Sequence, residues 1–136
     1  MARILAIDYG SKRCGIAVTD ELKLIASGLT TVGTRELLEW LKAYVTNEEV
    51  ELFVVGAPKR LHGEASQIEG AIKEFLDKLT LIIPEIPIKR IDERFTSKMA
   101  FDTMIASGIS KKKRKDKALV DQISATIILQ DYLYNL

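Results

Sequence analysis

The chain has 136 residues, with 20 Lys/Arg against 19 Asp/Glu and a net charge of +1 when its single histidine is neutral. That balance excludes a polycationic nucleic-acid tail, and 47% hydrophobic with 29% charged residues is the composition of an ordinary globule. The length predicts one domain, 1–136, built on one core, with no second domain to close over a substrate. The lone cysteine, Cys14, has no partner for an internal disulfide, as in a reducing compartment. No apolar run approaches the roughly 18 residues of a membrane span, and the apolar stretch at 4–7 is too short for a signal peptide. A cytoplasmic protein is expected.

Residues 3–7 and 14–19 are short β-prone runs joined by Tyr9-Gly10-Ser11-Lys12-Arg13, a connection of hairpin length. A third run at 25–32 completes an antiparallel meander. Thr34 is placed to cap a helix carrying Leu37, Leu38, Leu41, Tyr44 and Val45 on one face. Leu52-Phe53-Val54-Val55 is continuously apolar up to Gly56, the mark of a parallel strand buried on both faces. Gly56-Ala57-Pro58 then reads as its exit into a loop. Ser66 and Glu69 form a capping-box pattern ahead of Ile68, Ile72, Phe75, Leu76 and Leu79, a one-sided helix. Residues 87–91 are the next strand. A helix from Thr96 or Ser97 to Gly108 and a last helix over about 118–133 follow. The order predicts an α/β fold with one mixed five-stranded sheet, three antiparallel strands and then two parallel ones, with helices on both faces.

Open sheets bind ligands beyond the carboxyl ends of their parallel strands. Asp8 directly follows the first strand, where an ionised acid needs compensation, and Asp92 and Glu93 stand in the same relation to a later strand. Asp121 shares a helical face with Ala118, Ala125, Ile128 and Tyr132, and the small Ala125 leaves room for a close approach to the sheet. Converging carboxylates repel unless a cation intervenes. An oxygen-only cluster favours Mg²⁺ or Mn²⁺ over zinc. Two such ions about 3.5 to 4 Å apart can drive an in-line phosphoryl displacement. Each acid also has a plainer reading: Asp8 as a turn residue, Glu93 paired with Arg94, and Asp121 as an acid favoured by the helix dipole.

The neutral total conceals an asymmetry. Residues 89–117 hold ten Lys/Arg and four acids, a charge of +6, which leaves −5 for the rest. Such segregation suits a polyphosphate on one face, although a basic run also serves as a solvated loop.

Ile7-Asp8-Tyr9-Gly10-Ser11-Lys12-Arg13-Cys14-Gly15-Ile16-Ala17-Val18-Thr19-Asp20 resembles the opening of the YqgF/RuvX family, Holliday-junction-resolvase-like proteins also described as candidate pre-16S ribosomal RNA nucleases. Val55-Gly56-Ala57-Pro58 with Gly63, Asp92-Glu93-Arg94-Phe95-Thr96-Ser97, and Asp121 ahead of Ser124-Ala125-Thr126-Ile127-Ile128-Leu129-Gln130 are similar to its later blocks, in order. The resemblance implies a ribonuclease H-like fold and a metal-dependent endonuclease of the bacterial cytoplasm that acts on precursor rRNA ends. It places the family's three acids at Asp8, Glu93 and Asp121, holding Mg²⁺ or Mn²⁺. Resolvase relatives carry a further acid where this chain has Ser124, so water or Ser124 would make any fourth contact.

Nucleic-acid contacts are expected from Lys12 and Arg13 on the hairpin and from Arg94, which could clamp a phosphate or orient Glu93. Lys111, Lys112, Lys113, Arg114 and Lys115 would add salt-sensitive phosphate contacts. Asp20 reads as a turn acid, His62 as a loop residue without a catalytic role, and Trp40, Tyr132 and Tyr134 as packing groups. Gly10 and Gly15 let the backbone pass close to its neighbours. Two rival functions fit parts of the pattern. One is a non-catalytic nucleic-acid-binding module, which would need the basic stretch and not the acids. The other is an ATPase phosphate loop at Asp8-Tyr9-Gly10, which would need a second domain. Among nuclease substrates, precursor rRNA needs only a monomer and a four-way DNA junction suits a homodimer.

Overall fold

The computed structural model describes residues 2–58, 64–93 and 117–134. Their elements are strands β1 (Arg3–Asp8), β2 (Arg13–Thr19) and β3 (Ala26–Gly33), a 3-10 turn at Thr34–Glu36, helix α1 (Leu37–Asn47), strand β4 (Val50–Pro58), helix α2 (Glu64–Ile82), strand β5 (Ile88–Glu93) and helix α3 (Lys117–Tyr134). The expected helix at 96–108 lies outside the described residues.

The strands form one sheet in the order β3-β2-β1-β4-β5. β1 pairs antiparallel with β2 and β2 with β3, whereas β4 runs parallel to both β1 and β5. This is the expected mixed sheet, with β1 at its centre. The carboxyl ends of β1, β4 and β5 therefore share one edge. Phe53, Val54 and Val55 in β4 are fully buried, as a strand covered on both faces requires. β4 continues through Gly56, Ala57 and Pro58, which pair with Ile91, Asp92 and Glu93. Those three residues are thus the end of a strand rather than a loop exit.

The sheet divides the buried side chains into two clusters, where the chain length alone predicts one core. Leu5, Ile7, Ile16, Phe53 and Val55 meet Leu37 and Leu41 of α1 and Ile72, Phe75 and Leu79 of α2. The alternate residues Ile4, Ala6, Ala17 and Val54 meet Ala125, Ile128 and Leu129 of α3. Burying each large aliphatic side chain contributes about 1.5–3 kcal/mol.

The α3 face of the sheet is built from small residues, and this sets how closely the helix lies. A Cβ added to Gly15 would stand 1.9 Å from the Asp121 carbonyl oxygen, and one on Gly28 would stand 3.3 Å from Thr126 Oγ1. The Thr31 hydroxyl donates to the Ala118 carbonyl at 2.6 Å, pinning the first turn of α3 to β3. The register of β2 with β3 shifts between Gly28 and Thr30, leaving Leu29 as an extra residue. That bulge resets the alternation, so Gly28 and Thr31 both face α3.

Two expected helix starts are replaced by longer-range contacts. Thr34 makes no cap, because its hydroxyl donates to the Gly10 carbonyl at 2.7 Å and braces the hairpin turn. α2 begins at Glu64, so Ser66 lies inside the helix. Glu69 leaves the capping role for Arg90, whose two terminal nitrogens lie 2.6 and 3.3 Å from its carboxylate. Arg90 also donates to the Val55 and Gly56 carbonyls, which ties the ends of β4 and β5 to α2.

Gly15→Ala should cost about 3 kcal/mol, since the added methyl meets backbone that cannot yield without moving α3. Gly28→Ala should cost less than about 1 kcal/mol, because its neighbour is a side-chain hydroxyl. Urea midpoints compare the two, and equal midpoints would show that α3 does not depend on Gly15. Glu69→Gln leaves the half-buried Arg90 without its counter-charge and should lower stability by roughly 1–2 kcal/mol in the same assay.

Candidate active site

Asp8 ends β1 at the sheet edge where ligands are expected, on the alternation of Ile4 and Ala6 and therefore on the α3 face. Its partner across β2 is Gly15, the residue on which the Asp121 peptide rests. One missing side chain thus brings the fifth residue of α3 down onto the row that contains Asp8. Asp121 lies beyond the helix's first turn, so the macrodipole does not account for it. Glu93 ends β5 opposite Pro58, on the same alternation as Lys89 and Ile91. Both of those contact α3, Ile91 by packing against its cluster and Lys89 through the ring of Tyr132. Asp92 has the opposite parity and is exposed. Asp8 and Asp121 therefore belong to one face at one edge, the edge at which the backbone of β5 ends with Glu93, and Asp92 does not share that face.

Among the described residues, no group of three His, Cys, Asp or Glu side chains stands close enough to hold a metal ion. The pair formed by Asp8 and Asp121 is nonetheless felt electrostatically. Burial chiefly pushes the Cys14 thiol above its ordinary pKa, and the negative charges of Asp8 and Asp121 push it further, against lowering contacts from Thr34 and the Gly10 carbonyl. Cys14 is fully buried and held neutral, which removes it as a thiolate ligand or nucleophile.

Asp121 has a cationic neighbour of its own. Arg13 Nε lies 2.6 Å from Asp121 Oδ2, with side chains 35% and 23% exposed. No hydrogen bond joins those two atoms, so this contact acts as an ion pair. Ser124, one turn on from Asp121, is 1% exposed, and its hydroxyl has no hydrogen-bond partner among the described residues. A buried polar group left so costs about 1–3 kcal/mol. The donors available here are carboxylate and hydroxyl oxygens, which suit a hard divalent cation and do not suit zinc. Asp8, Asp121 and Ser124 are the described residues that could hold one or its water.

The remaining expected contacts separate. Lys12 is exposed on the hairpin and borders a surface pocket of about 550 Å³ with Tyr9, Ser11, Thr34, Arg35 and Glu36. Arg13 turns instead to α3. The side chains of Arg94, Lys111, Lys112, Lys113, Arg114 and Lys115 lie outside the described residues, as does His62. Asp20 is a turn acid whose carboxylate accepts from the Leu22, Leu24 and Ile25 N–H groups, which lower its pKa, Ile25 most. Trp40 stacks on Tyr44 and packs against the α1 side of the core. Tyr132 packs as expected, but Tyr134 is 72% exposed because α3 runs past the sheet. The Thr31 and Arg90 anchors escape a sequence reading, since their partners lie 87 and 21 residues away with no local signal.

A family model described as RuvX, Holliday junction resolvase, matches residues 2–135. A Christiangramia forsetii protein described as "Putative pre-16S rRNA nuclease" is 63% identical over 134 residues, 98% of this chain and 99% of that one. A Porphyromonas gingivalis protein of the same description is 57% identical over 135 residues, 99% and 98% of the two chains. Among solved structures, T. thermophilus RuvC in complex with a Holliday junction substrate superimposes with a TM-score of 0.60 at 15% identity, over 98% of this chain and 94% of that one. That likeness is one of fold. With the family match and both relatives running almost from end to end, the chain belongs to the RuvX family.

Proposed function

We propose that this chain is a cytoplasmic, divalent-metal-dependent endonuclease that hydrolyses phosphodiesters and processes the 5′ end of precursor 16S rRNA. The observation that supports it most directly is the seating of Asp121 on Gly15, across from Asp8 at the carboxyl end of the central strand. The relatives of 57% and 63% identity support the choice of substrate.

In this reading Asp8, Glu93 and Asp121 are the carboxylates that hold Mg²⁺ or Mn²⁺, and Ser124 positions a water among them. One or two divalent cations held there would supply a lowered pKa for an attacking water and charge stabilisation at the phosphodiester oxygens. The protein's own part is positional. The sheet edge and α3 fix carboxylates that would otherwise repel. Cys14 beneath them stays protonated and does not compete for the cation. Lys12, Arg94 and the 111–115 cations hold the phosphates on either side, contacts that are blind to sequence.

Asp8→Asn should lower Mn²⁺- or Mg²⁺-dependent cleavage by more than about 100-fold, the upper loss seen when only a partner of a metal ligand is removed. Its urea midpoint should not fall. The assay uses an RNA carrying the 5′ flank of 16S rRNA beside a four-way DNA junction, with and without EDTA. Full activity of the variant would overturn the acidic site. Cleavage of the junction alone would assign the chain to junction resolution, and EDTA-resistant binding without cleavage of either substrate would leave a binding module.

A further inference from the structure

The Arg13–Asp121 contact is unlike the other ion pairs of the described residues. Arg3 pairs with Glu48 and Glu21, and Lys23 with Glu51, each with an acid that stays exposed, and Arg90–Glu69 is a two-pronged contact that joins elements of the fold. Arg13 instead brings its Nε within 2.6 Å of the Asp121 carboxylate, with no hydrogen bond between those two atoms. It ties down no element that Gly15 and Thr31 have not already placed. A guanidinium held this way neutralises charge more than it builds structure. It also acts on the carboxylate that the proposed function gives to a divalent cation.

We infer that Arg13 is an internal counterion for Asp121, filling the role of the divalent cation until that cation binds and displaces it. The inference rests on the metal-dependent reading above. Asp8 ends β1 beside Gly15, on which the Asp121 peptide rests, so two carboxylates belong to one end of the sheet and their repulsion opposes the seating of α3. Arg13 leaves β2 on the α3 face and supplies a positive charge within the chain. It therefore competes with the metal, because the carboxylate cannot give the same lone pairs to both. Once displaced, its planar fork becomes available to a phosphate oxygen pair. Arg13 is in this sense a positioning residue, one that keeps the acids in place between turnovers.

The test is Mn²⁺ binding by the full chain without nucleic acid, read from the fall of the free-ion EPR signal, together with the thermal midpoint with and without Mn²⁺. Arg13→Gln should bind Mn²⁺ about tenfold more tightly than wild type, the factor set by a contact of ~1.4 kcal/mol. Its metal-free midpoint should be lower, and Mn²⁺ should raise it by more than it raises wild type. Arg13→Lys, which keeps the charge and loses the fork, should fold as wild type and bind with intermediate affinity. A merely structural arginine would lower the midpoint in the glutamine variant without any gain in affinity. Unchanged or weaker Mn²⁺ binding by both variants, with wild type binding and Asp8→Asn not, overturns the inference and leaves the metal-dependent reading standing. Absence of Mn²⁺ binding by every chain overturns both.

Discussion

The contact between the backbone of Gly15 and the carbonyl of Asp121 is the constraint on which the candidate site depends. A helix packed on a sheet through ordinary side chains stands about 10 Å away. A carboxylate on such a helix would not reach the row of the central strand. Here Ala6, Gly15, Ala17 and Gly28 lower the sheet surface, and Ser124 and Ala125 lower the helix surface to match. The Thr31 hydroxyl then fixes the axial position of α3 through Ala118, one turn before Asp121. Apolar burial supplies the attraction, and the small residues decide at what distance it is satisfied.

That close approach brings an electrostatic cost, and the surroundings show how it is met. Burial chiefly raises the pKa of the Cys14 thiol, and the charges of Asp8 and Asp121 add to it. Arg13 brings a cation into direct contact with Asp121. The opposite face of the same edge is held by a separate device: Arg90 joins Glu69 of α2 to the ends of β4 and β5. The Arg90–Glu69 pair and the Arg13–Asp121 pair thus lie on opposite faces of the sheet. Arg90 and Asp92 belong to the α2 face of β5, and position 93 belongs to the α3 face.

Strand parity is also why much of this was legible in the sequence. The apolar run at 52–55 and the acid directly after residues 4–7 depend only on local alternation, and both are found where the pattern puts them. The same holds for Asp121, whose helical face needs nothing beyond α3 itself. Thr34 and Glu69 are different. Each carries a sound local cap signal, yet a partner far along the chain offers more. Gly10 claims the Thr34 hydroxyl, and Arg90 gives Glu69 a charged, forked contact in place of a single backbone N–H. The bulge at Leu29 is silent for a related reason, since the register of two strands belongs to neither alone. Family resemblance supplied what periodicity could not, namely that residue 93 and not 92 is the acid to watch.

The connectivity gives a further reason for the charge asymmetry of the chain. Residues 94–116 leave β5 immediately after Glu93 and enter α3 four residues before Asp121, so both ends of this basic segment are anchored at the acidic edge. A nuclease of this kind must gather two opposite charges at one place, cations for the phosphates and carboxylates for the metal. Set side by side within one rigid element, they would neutralise each other as salt bridges. The sequence divides the two sets, with the candidate carboxylates at the ends of packed elements and most of the cations in the sequence between Glu93 and α3. Arg13 departs from that division, a cation on a strand of the sheet in direct contact with a candidate site carboxylate.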